Sequence, residues 1–306
     1  MTIQEIINIS IKKLKTSSAS PELDSEVLLS HIFRKPKSYL FVHMHKCVPQ
    51  AKQRKFFSLI TKRQKGWPVA YLIGKKEFYG LDFQVNKNVL IPRCETETLV
   101  DLVLEKFLNS KFEIPASPAG RRNSKLSILD LGTGSGCIII SLAKKISTLH
   151  PNPYPLLSAS DISSQALKIA KQNAHQHKVK IKFKQGNLLK PWKKQHFDII
   201  VANLPYGWKE WKNDISAETV GLKFEPLKAL FTKERGLYLY KKLFEQIRGY
   251  SQIRPFADSI FVEFDPRQTR QIKKLAEKFL PDFLLEIKKD FAGKNRFACL
   301  SPHYLL

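Results

Sequence analysis

Beyond Lys125, short apolar runs alternate with longer stretches at helical spacing, and this alternation leaves the chain few possible folds. The runs are Ser127–Leu131, Leu156–Ser160, Ile181–Gln185, Asp198–Ala202, Ser259–Phe264, Phe283–Ile287 and Phe297–Leu300. Strand and helix in turn predict an α/β domain in which helices cover both faces of a mostly parallel sheet. Only a short connection separates the last pair of runs, which suits an antiparallel pair at the sheet's edge.

The N-terminal part follows a different period. Ile3, Ile6, Ile7, Ile11 and Leu14 recur at helical spacing, and Leu23, Val27, Leu28 and Ile32 give Pro21–Phe33 a second apolar face. Ser20 ahead of Pro21 is the expected N-cap, with proline in the first helical position. A third helix runs from about Ala51 to Lys65 and stops at Gly66. Lys75 to Val89 alternates around Gly80 as a hairpin or extended linker, Pro92 ends it, and helical spacing returns from Glu95 to Leu108. Glu113–Ser124, rich in Pro, Ser and Gly, is expected to be a flexible loop.

Composition narrows the class of function. Lys and Arg number 52 against 27 Asp and Glu, a net charge of +25 that favours solubility and a weak attraction to polyanions. The lysines are spread along the chain without the clustering of a nucleic-acid footprint, so nucleic acid is not required as a partner. Cys47, Cys94, Cys137 and Cys299 form no C-x-x-C pair, which argues against a zinc site or a secreted disulfide framework and for a reducing cytoplasm. No metal is expected: His43/His45 and His175/His177 have no evident third ligand. Residues 1–10 lack the order of a signal peptide, and no apolar run approaches the roughly 18 residues that span a bilayer. A cytoplasmic protein without membrane association is expected.

The chemistry is concentrated at strand ends. Ile128 to Leu131 runs into Gly132-Thr133-Gly134-Ser135-Gly136 and then a helix from Cys137. Glycines let the backbone turn sharply and approach a ligand, and the helix start offers free N–H groups. Cys137 stands where a dinucleotide fingerprint needs glycine, and Asp130 can face a cationic ligand. Asp161 ends the next strand, where it can accept both ribose hydroxyls or simply cap the following helix. Asn187 after the third strand can bond an adenine edge or serve as an ordinary turn residue. A G-x-G-x-G loop followed by strand-end acidity points to S-adenosylmethionine.

Asn203-Leu204-Pro205-Tyr206 follows the apolar run Phe197–Ala202. An amide nitrogen is a poor nucleophile because its lone pair is delocalised. Acceptors on both N–H bonds align that lone pair and stabilise the positive charge that develops on nitrogen. The Asn203 side-chain oxygen and the Leu204 carbonyl can do this while Tyr206 stacks on the planar group.

With these motifs in place the chain resembles the PrmC/HemK family of N5-glutamine methyltransferases, which act on the Gly-Gly-Gln motif of class I peptide-chain release factors. The resemblance includes Pro68–Gly74 with Glu77-Phe78, Leu90-Ile91-Pro92-Arg93-Cys94-Glu95-Thr96-Glu97, Phe224-Glu225-Pro226 with Ala229-Leu230, and Asp290-Phe291-Ala292-Gly293 with Arg296. Read as bare residues, Arg93 to Glu97 would be a helix start with acidic residues in its first turn, Glu225-Pro226 a loop, and Asp290 with Arg296 a solvated pair.

The resemblance implies a class I, Rossmann-like S-adenosylmethionine-dependent methyltransferase domain with a seven-stranded mixed sheet over 93–306. It further implies a hairpin linker over 75–92 and a helical substrate-docking domain over 1–74. It assigns Gly132, Thr133, Gly134, Ser135, Gly136 and Asp161 to the cofactor, and Asn203, Leu204, Pro205 and Tyr206 to the glutamine; Asn187 and Asn203 are expected at the cofactor as well. The expected activity is methyl transfer to the glutamine of a release factor. The other readings are glutamine methylation of a ribosomal protein, amino-directed methylation of DNA or RNA, and a non-catalytic ribosome-associated module. Three departures stand out: Leu204 and Cys94 where the family commonly has proline, and Asn187-Leu188 where it has an acidic residue and often an aromatic.

Overall fold

Thr2 and Glu5 set the start of the first helix by a reciprocal cap. Thr2 Oγ1 accepts from the Glu5 N–H at 3.2 Å, and Glu5 Oε2 accepts from the Thr2 N–H at 2.9 Å. The computed structural model that shows this describes residues 1–109, 126–149, 155–193, 195–208, 217–250 and 256–303. The expected loop Glu113–Ser124 lies outside them.

The described residues fall into two compact units. The first contains Met1–Lys75, Val85–Lys87 and, of the described residues, 217–226. Its helices are α1 (Ile3–Leu14), α2 (Pro21–Phe33), α3 (Lys37–Val42), α4 (Gln50–Gln64) and α5 (Val69–Ile73). Ile3, Ile6, Leu14, Leu28, Leu29, Phe56 and Ile60 form its dry core. The buried face of α2 differs from the expected one: Leu23 is 47 % exposed, whereas Asp24 and Ser25 are buried beside Leu28 and Leu29. An ion pair makes this affordable, since Arg63 on α4 reaches Asp24 Oδ2 at 2.5 Å and Ser18 donates to the same oxygen at 2.6 Å. Ser20 occupies the N-cap position but its hydroxyl makes no cap bond. Ser18 Oγ accepts the Ser20 N–H instead, at 3.0 Å.

The second unit begins with a hairpin, β1 (Lys75–Phe78) and β2 (Leu81–Gln84), whose turn places Tyr79 and Gly80 at φ of +54° and +74°. A single 3-10 turn at Cys94–Thr96 leads into α6 (Glu97–Asn109). The strands β3 (Ser127–Leu131), β4 (Leu156–Asp161), β5 (Lys182–Gln185), β6 (Phe197–Ala202) and β7 (Ala257–Glu263) are joined through helices, among them α7 (Cys137–Leu149), α8 (Ser164–Gln176), α9 (Leu227–Leu230) and α10 (Tyr238–Tyr250). The chain closes with α11 (Thr269–Phe279), β8 (Phe283–Lys289) and β9 (Asn295–Pro302).

The strands form one seven-stranded sheet in the order β5-β4-β3-β6-β7-β9-β8, with β7·β9 and β8·β9 antiparallel. The mixed sheet is as expected, with β9 inserted between β7 and its antiparallel partner. Both faces are covered. Ile199 and Val201 of β6 pack with α6, α7 and the hairpin's Phe78 and Phe83, while Phe197, Ile200 and Ala202 pack with α10 and α11. That is why Ile199–Ala202 read as continuously apolar.

Register brings the strand ends level: Leu131 pairs with Ser160 and Ala202, Asp161 with Gln185, and Ala202 with Val262. Because β4 and β6 flank β3 on opposite sides, the connections diverge there and leave a crevice at the C-terminal edge. Among the described residues no helix is long and apolar enough to cross a membrane. The helices α3 and α5 have too few turns for periodicity to reveal them.

Phe197 is fully buried, with its ring edge-on to Trp192 at 5.6 Å. Phe197→Ala should lower the unfolding free energy by about 3–5 kcal/mol, read as a shifted urea midpoint. A loss below about 1 kcal/mol would mean that this layer is not packed as described.

Candidate active site

β3 carries Asp130 into the loop Gly132–Gly136, where Gly132, Gly134 and Gly136 take φ of +69°, +55° and +83°. Side chains rarely adopt such values, which explains the glycines. The Ser160 carbonyl accepts from the Gly132 and Thr133 N–H groups at 2.8 and 3.1 Å. Asp161 Oδ2 accepts from the Gly134 N–H at 3.0 Å and Oδ1 from the Ser163 N–H at 2.8 Å. Asp161 therefore braces the loop. Ser163 is the cap of α8, its Oγ accepting from the Ala166 N–H at 3.2 Å. Each Asp161 oxygen keeps a further lone pair for a ligand.

Asp130 is fully buried. Thr133 Oγ1 donates to its Oδ2 at 2.6 Å, while Oδ1 has no hydrogen-bond partner among the described residues. Burial pushes this carboxyl up to about 7, against the Thr133 bond and with help from the Asp161 charge. Asn187 follows β5, where the Gly186 N–H bonds the Asp161 carbonyl at 3.0 Å and so sets Asn187 beside the acidic end of β4. Leu188 is buried at a φ of +52°.

At the end of β6, the Asn203 Nδ2 group donates to Thr96 Oγ1 and to Glu263 Oε2, each at 3.0 Å. Thr96 donates its own hydroxyl to Glu263 Oε2 at 2.8 Å, and the Tyr206 hydroxyl donates to Glu263 Oε1 at 3.1 Å. Leu204 is 3 % exposed, and its carbonyl accepts from the Tyr240 hydroxyl at 3.0 Å. The same Tyr240 proton also faces the Glu263 carbonyl. Burial and the Tyr240 bond thus hold Leu204.

A Cβ on Gly132 would meet Leu204 Cδ2 at 3.0 Å, so the glycine loop and the Asn203–Tyr206 turn are in direct contact. The Tyr206 carbonyl accepts from Gln268 Nε2 at 2.9 Å. Burial first, then the Glu263 carboxylate, raises the Tyr206 hydroxyl well above its usual range and keeps it neutral. Pro205 is half-buried in the same turn.

The structure brings together every residue expected at the site: Gly132–Gly136, Asp161, Asn187 and Asn203–Tyr206 share one sheet edge. Sequence reasoning gave no role to Glu263, Thr96, Tyr240 or Asn173. An acidic residue near the end of the apolar run Ser259–Phe264 was the available signal for Glu263, close to the one that singled out Asp161 just after Leu156–Ser160. Asn173, fully buried on α8, donates to the Ser135 carbonyl at 2.8 Å and accepts from the Gln84 N–H at 2.8 Å, tying the loop to the hairpin. Its place on a helix gave it no such signal.

Asp290 and Arg296 are not a solvated pair. Their side chains are 2 % and 15 % exposed and meet at 2.6 Å. His43 bonds the Tyr39 carbonyl and His177 the Asp82 carbonyl, each at 2.9 Å. His196, Asp198 and Asp258 form a compact trio at the opposite, N-terminal end of β6 and β7, where Asp198 Oδ2 already accepts from the Ser127 N–H and hydroxyl at 2.6 Å.

Residues 5–74 match the PrmC N-terminal domain family and residues 122–237 a methyltransferase domain family. The "Bifunctional methyltransferase" of Rickettsia typhi is 37 % identical over 309 residues, covering 98 % of this chain and 57 % of the relative. The chain therefore spans little more than half the length of that relative. The "Release factor glutamine methyltransferase" of Bacillus subtilis is 35 % identical over 292 residues, which cover 94 % of each chain. Among solved structures, the catalytic domain of hMettl16 in complex with a MAT2A 3′UTR hairpin superimposes with a TM-score of 0.53 at 14 % identity, covering 83 % of this chain and 81 % of that one. At that identity it shows the fold alone.

Gly236, at a φ of +83°, lies so close under the turn that a Cβ would sit 1.9 Å from the Tyr206 carbonyl oxygen and 2.4 Å from Gln268 Nε2. Gly293 has a φ of +74° with nothing within 4 Å. Gly293→Ala should cost the roughly 1–2 kcal/mol of a left-handed side chain, and Gly236→Ala clearly more in the same denaturation experiment. Equal losses would contradict the packing of Tyr206.

Proposed function

The chain belongs to the release factor glutamine methyltransferase family, and from this we propose that it transfers a methyl group from S-adenosylmethionine to the side-chain nitrogen of the glutamine in the Gly-Gly-Gln motif of a class I release factor. The observation that carries the reading is the state of the Asn203 amide. Both of its N–H bonds are spent on Thr96 and Glu263, which leaves Oδ1 for an incoming donor. The Leu204 carbonyl keeps a second lone pair beside the Tyr240 bond. Together they offer two acceptors to the two N–H bonds of a primary amide. That grip draws the nitrogen lone pair out of conjugation and balances the positive charge that grows on nitrogen. Tyr206, neutral and tied at its hydroxyl and carbonyl, presents its ring to the amide plane.

The residues at the neighbouring strand ends suit the cofactor. Asp130 Oδ1 is a buried acceptor without a donor, as a cationic ligand requires. The Asp161 oxygens retain lone pairs for ribose hydroxyls, and Asn187 beside them can bond an adenine edge. Gly134 leaves open the space that a Cβ would occupy, its nearest atom being the Gly132 carbonyl oxygen at 3.9 Å. S-adenosylmethionine, when bound, supplies a sulfonium methyl that passes to the glutamine nitrogen and leaves S-adenosylhomocysteine, the displaced proton going to solvent. We assign residues 1–74 to docking of the release factor and 93–306 to methyl transfer, with the hairpin of 75–92 between them. The match of residues 5–74 to a family domain distinct from the methyltransferase domain supports this division.

Asn203→Ala should reduce kcat for methyl transfer to a release factor on the order of 10²–10³-fold, the scale for one preorganised hydrogen-bonding group. Calorimetric affinity for S-adenosylmethionine should change far less. Wild-type turnover in the mutant would remove the acceptor assignment.

A further inference from the structure

We propose that Glu263 is a positioning residue whose carboxylate fixes the orientation of the Asn203 amide, turning Oδ1 toward the acceptor site. The proposal rests on the reading of Asn203 as the group that holds the glutamine. An asparagine amide is nearly symmetric in shape, so its two orientations are separated by the partners it meets and not by packing. Here both partners are acceptors. The ionised Glu263 carboxyl, the form required here, has no proton to give, and Thr96 spends its single hydroxyl proton on Glu263 Oε2 at 2.8 Å. Only Nδ2 can face them, at 3.0 Å to each. In the flipped amide, Oδ1 would point at two oxygens and the NH2 group at the substrate's own NH2.

The same carboxylate holds Tyr206 through Oε1 at 3.1 Å, so one anion aligns both residues that meet the acceptor amide. It is 1 % exposed. The groups around it come from every neighbouring element: Thr96 and Glu95 from the turn before α6, Cys137 from the start of α7, Tyr206 after β6, Tyr240 from α10 and Arg296 from β9. Burial and the Glu95 charge favour the neutral acid, whereas the Thr96 and Tyr206 bonds and the Arg296 charge favour the anion. The balance leaves the carboxyl above its ordinary range. Protonation would create a donor that Asn203 Oδ1 can accept, releasing the amide to turn over. Activity should therefore be complete above the Glu263 pKa and fall as pH drops through it.

The test uses the full chain, S-adenosylmethionine and a class I release factor. Glu263→Gln should lower kcat on the order of 10²-fold with calorimetric cofactor affinity unchanged, and the acidic limb of the kcat profile should disappear. A variant with wild-type kcat and the same acidic limb overturns the proposal, as does one in which cofactor affinity falls in step with kcat. If Glu263→Gln does not fold, the Thr96 pair decides. Thr96→Val should cost roughly tenfold in kcat, about one hydrogen bond, and Thr96→Ser should restore it; wild-type turnover in Thr96→Val overturns the proposal. Failure of the wild-type chain to methylate any release factor would instead count against the proposed function. In that case NMR of the Asn203 side-chain amide reads the orientation without turnover. Its protons should be protected from exchange in the wild type and lose that protection in Glu263→Gln, and equal protection in both overturns the proposal.

Discussion

Glu263 sits at the end of β7 with its carboxylate out of water, and donors from three separate segments converge on it: Thr96 ahead of α6, Asn203 and Tyr206 after β6, and, at its backbone carbonyl, Tyr240 from α10. A buried charge costs several kcal/mol unless its lone pairs are filled. Filling them here requires the segment before α6 and the β6 turn to arrive together, while helix α10 fills the backbone carbonyl of the same residue, and that requirement shapes this corner of the sheet edge. Arg296, paired with Asp290, contributes its positive charge to the same balance.

Contact between the two loops joins this corner to the rest of the sheet edge. Gly132 leaves room for the Leu204 side chain, and Leu204 in turn fixes the strand end that carries Asn203. The Ser160 carbonyl and the Asp161 carboxylate hold the glycine loop from β4, and Asn173 holds it from α8. The glycine loop and the Asn203–Tyr206 turn, each held by its own hydrogen bonds, therefore pack against one another at the ends of adjacent strands. In-line methyl transfer needs such an assembly, because reacting atoms misplaced by about 1 Å can cost on the order of 10²-fold in rate.

Much of this was legible in the sequence, for physical reasons. Strands buried on both faces leave continuous apolar runs, and the runs at Ser127, Leu156, Asp198 and Ser259 became β3, β4, β6 and β7. Glycine at left-handed φ and polar residues at strand ends mark themselves, which is how Gly132–Gly136, Asp161 and Asn203 were found. Partners that act through packing or across distant segments leave no local mark. Thr96 and Glu263 are 167 positions apart, and only the fold makes them neighbours. The α2 face was misread for a similar reason: Asp24 is buried because Arg63, 39 positions away, pairs with it. Ser20 looked like a cap by position, but Ser18 competes for its backbone. The carbonyl of Leu204 is bonded by Tyr240, 36 positions along the chain, another partner that no local pattern shows.

We propose that Asn203 and Leu204 hold a protein glutamine for methylation. Tandem mass spectrometry of a class I release factor, digested after incubation with the chain and S-adenosylmethionine, tests it most directly. The expected result is a single added methyl group on the side chain of the glutamine in the Gly-Gly-Gln peptide. A peptide that stays unmodified, or a methyl group found on another residue, would contradict it.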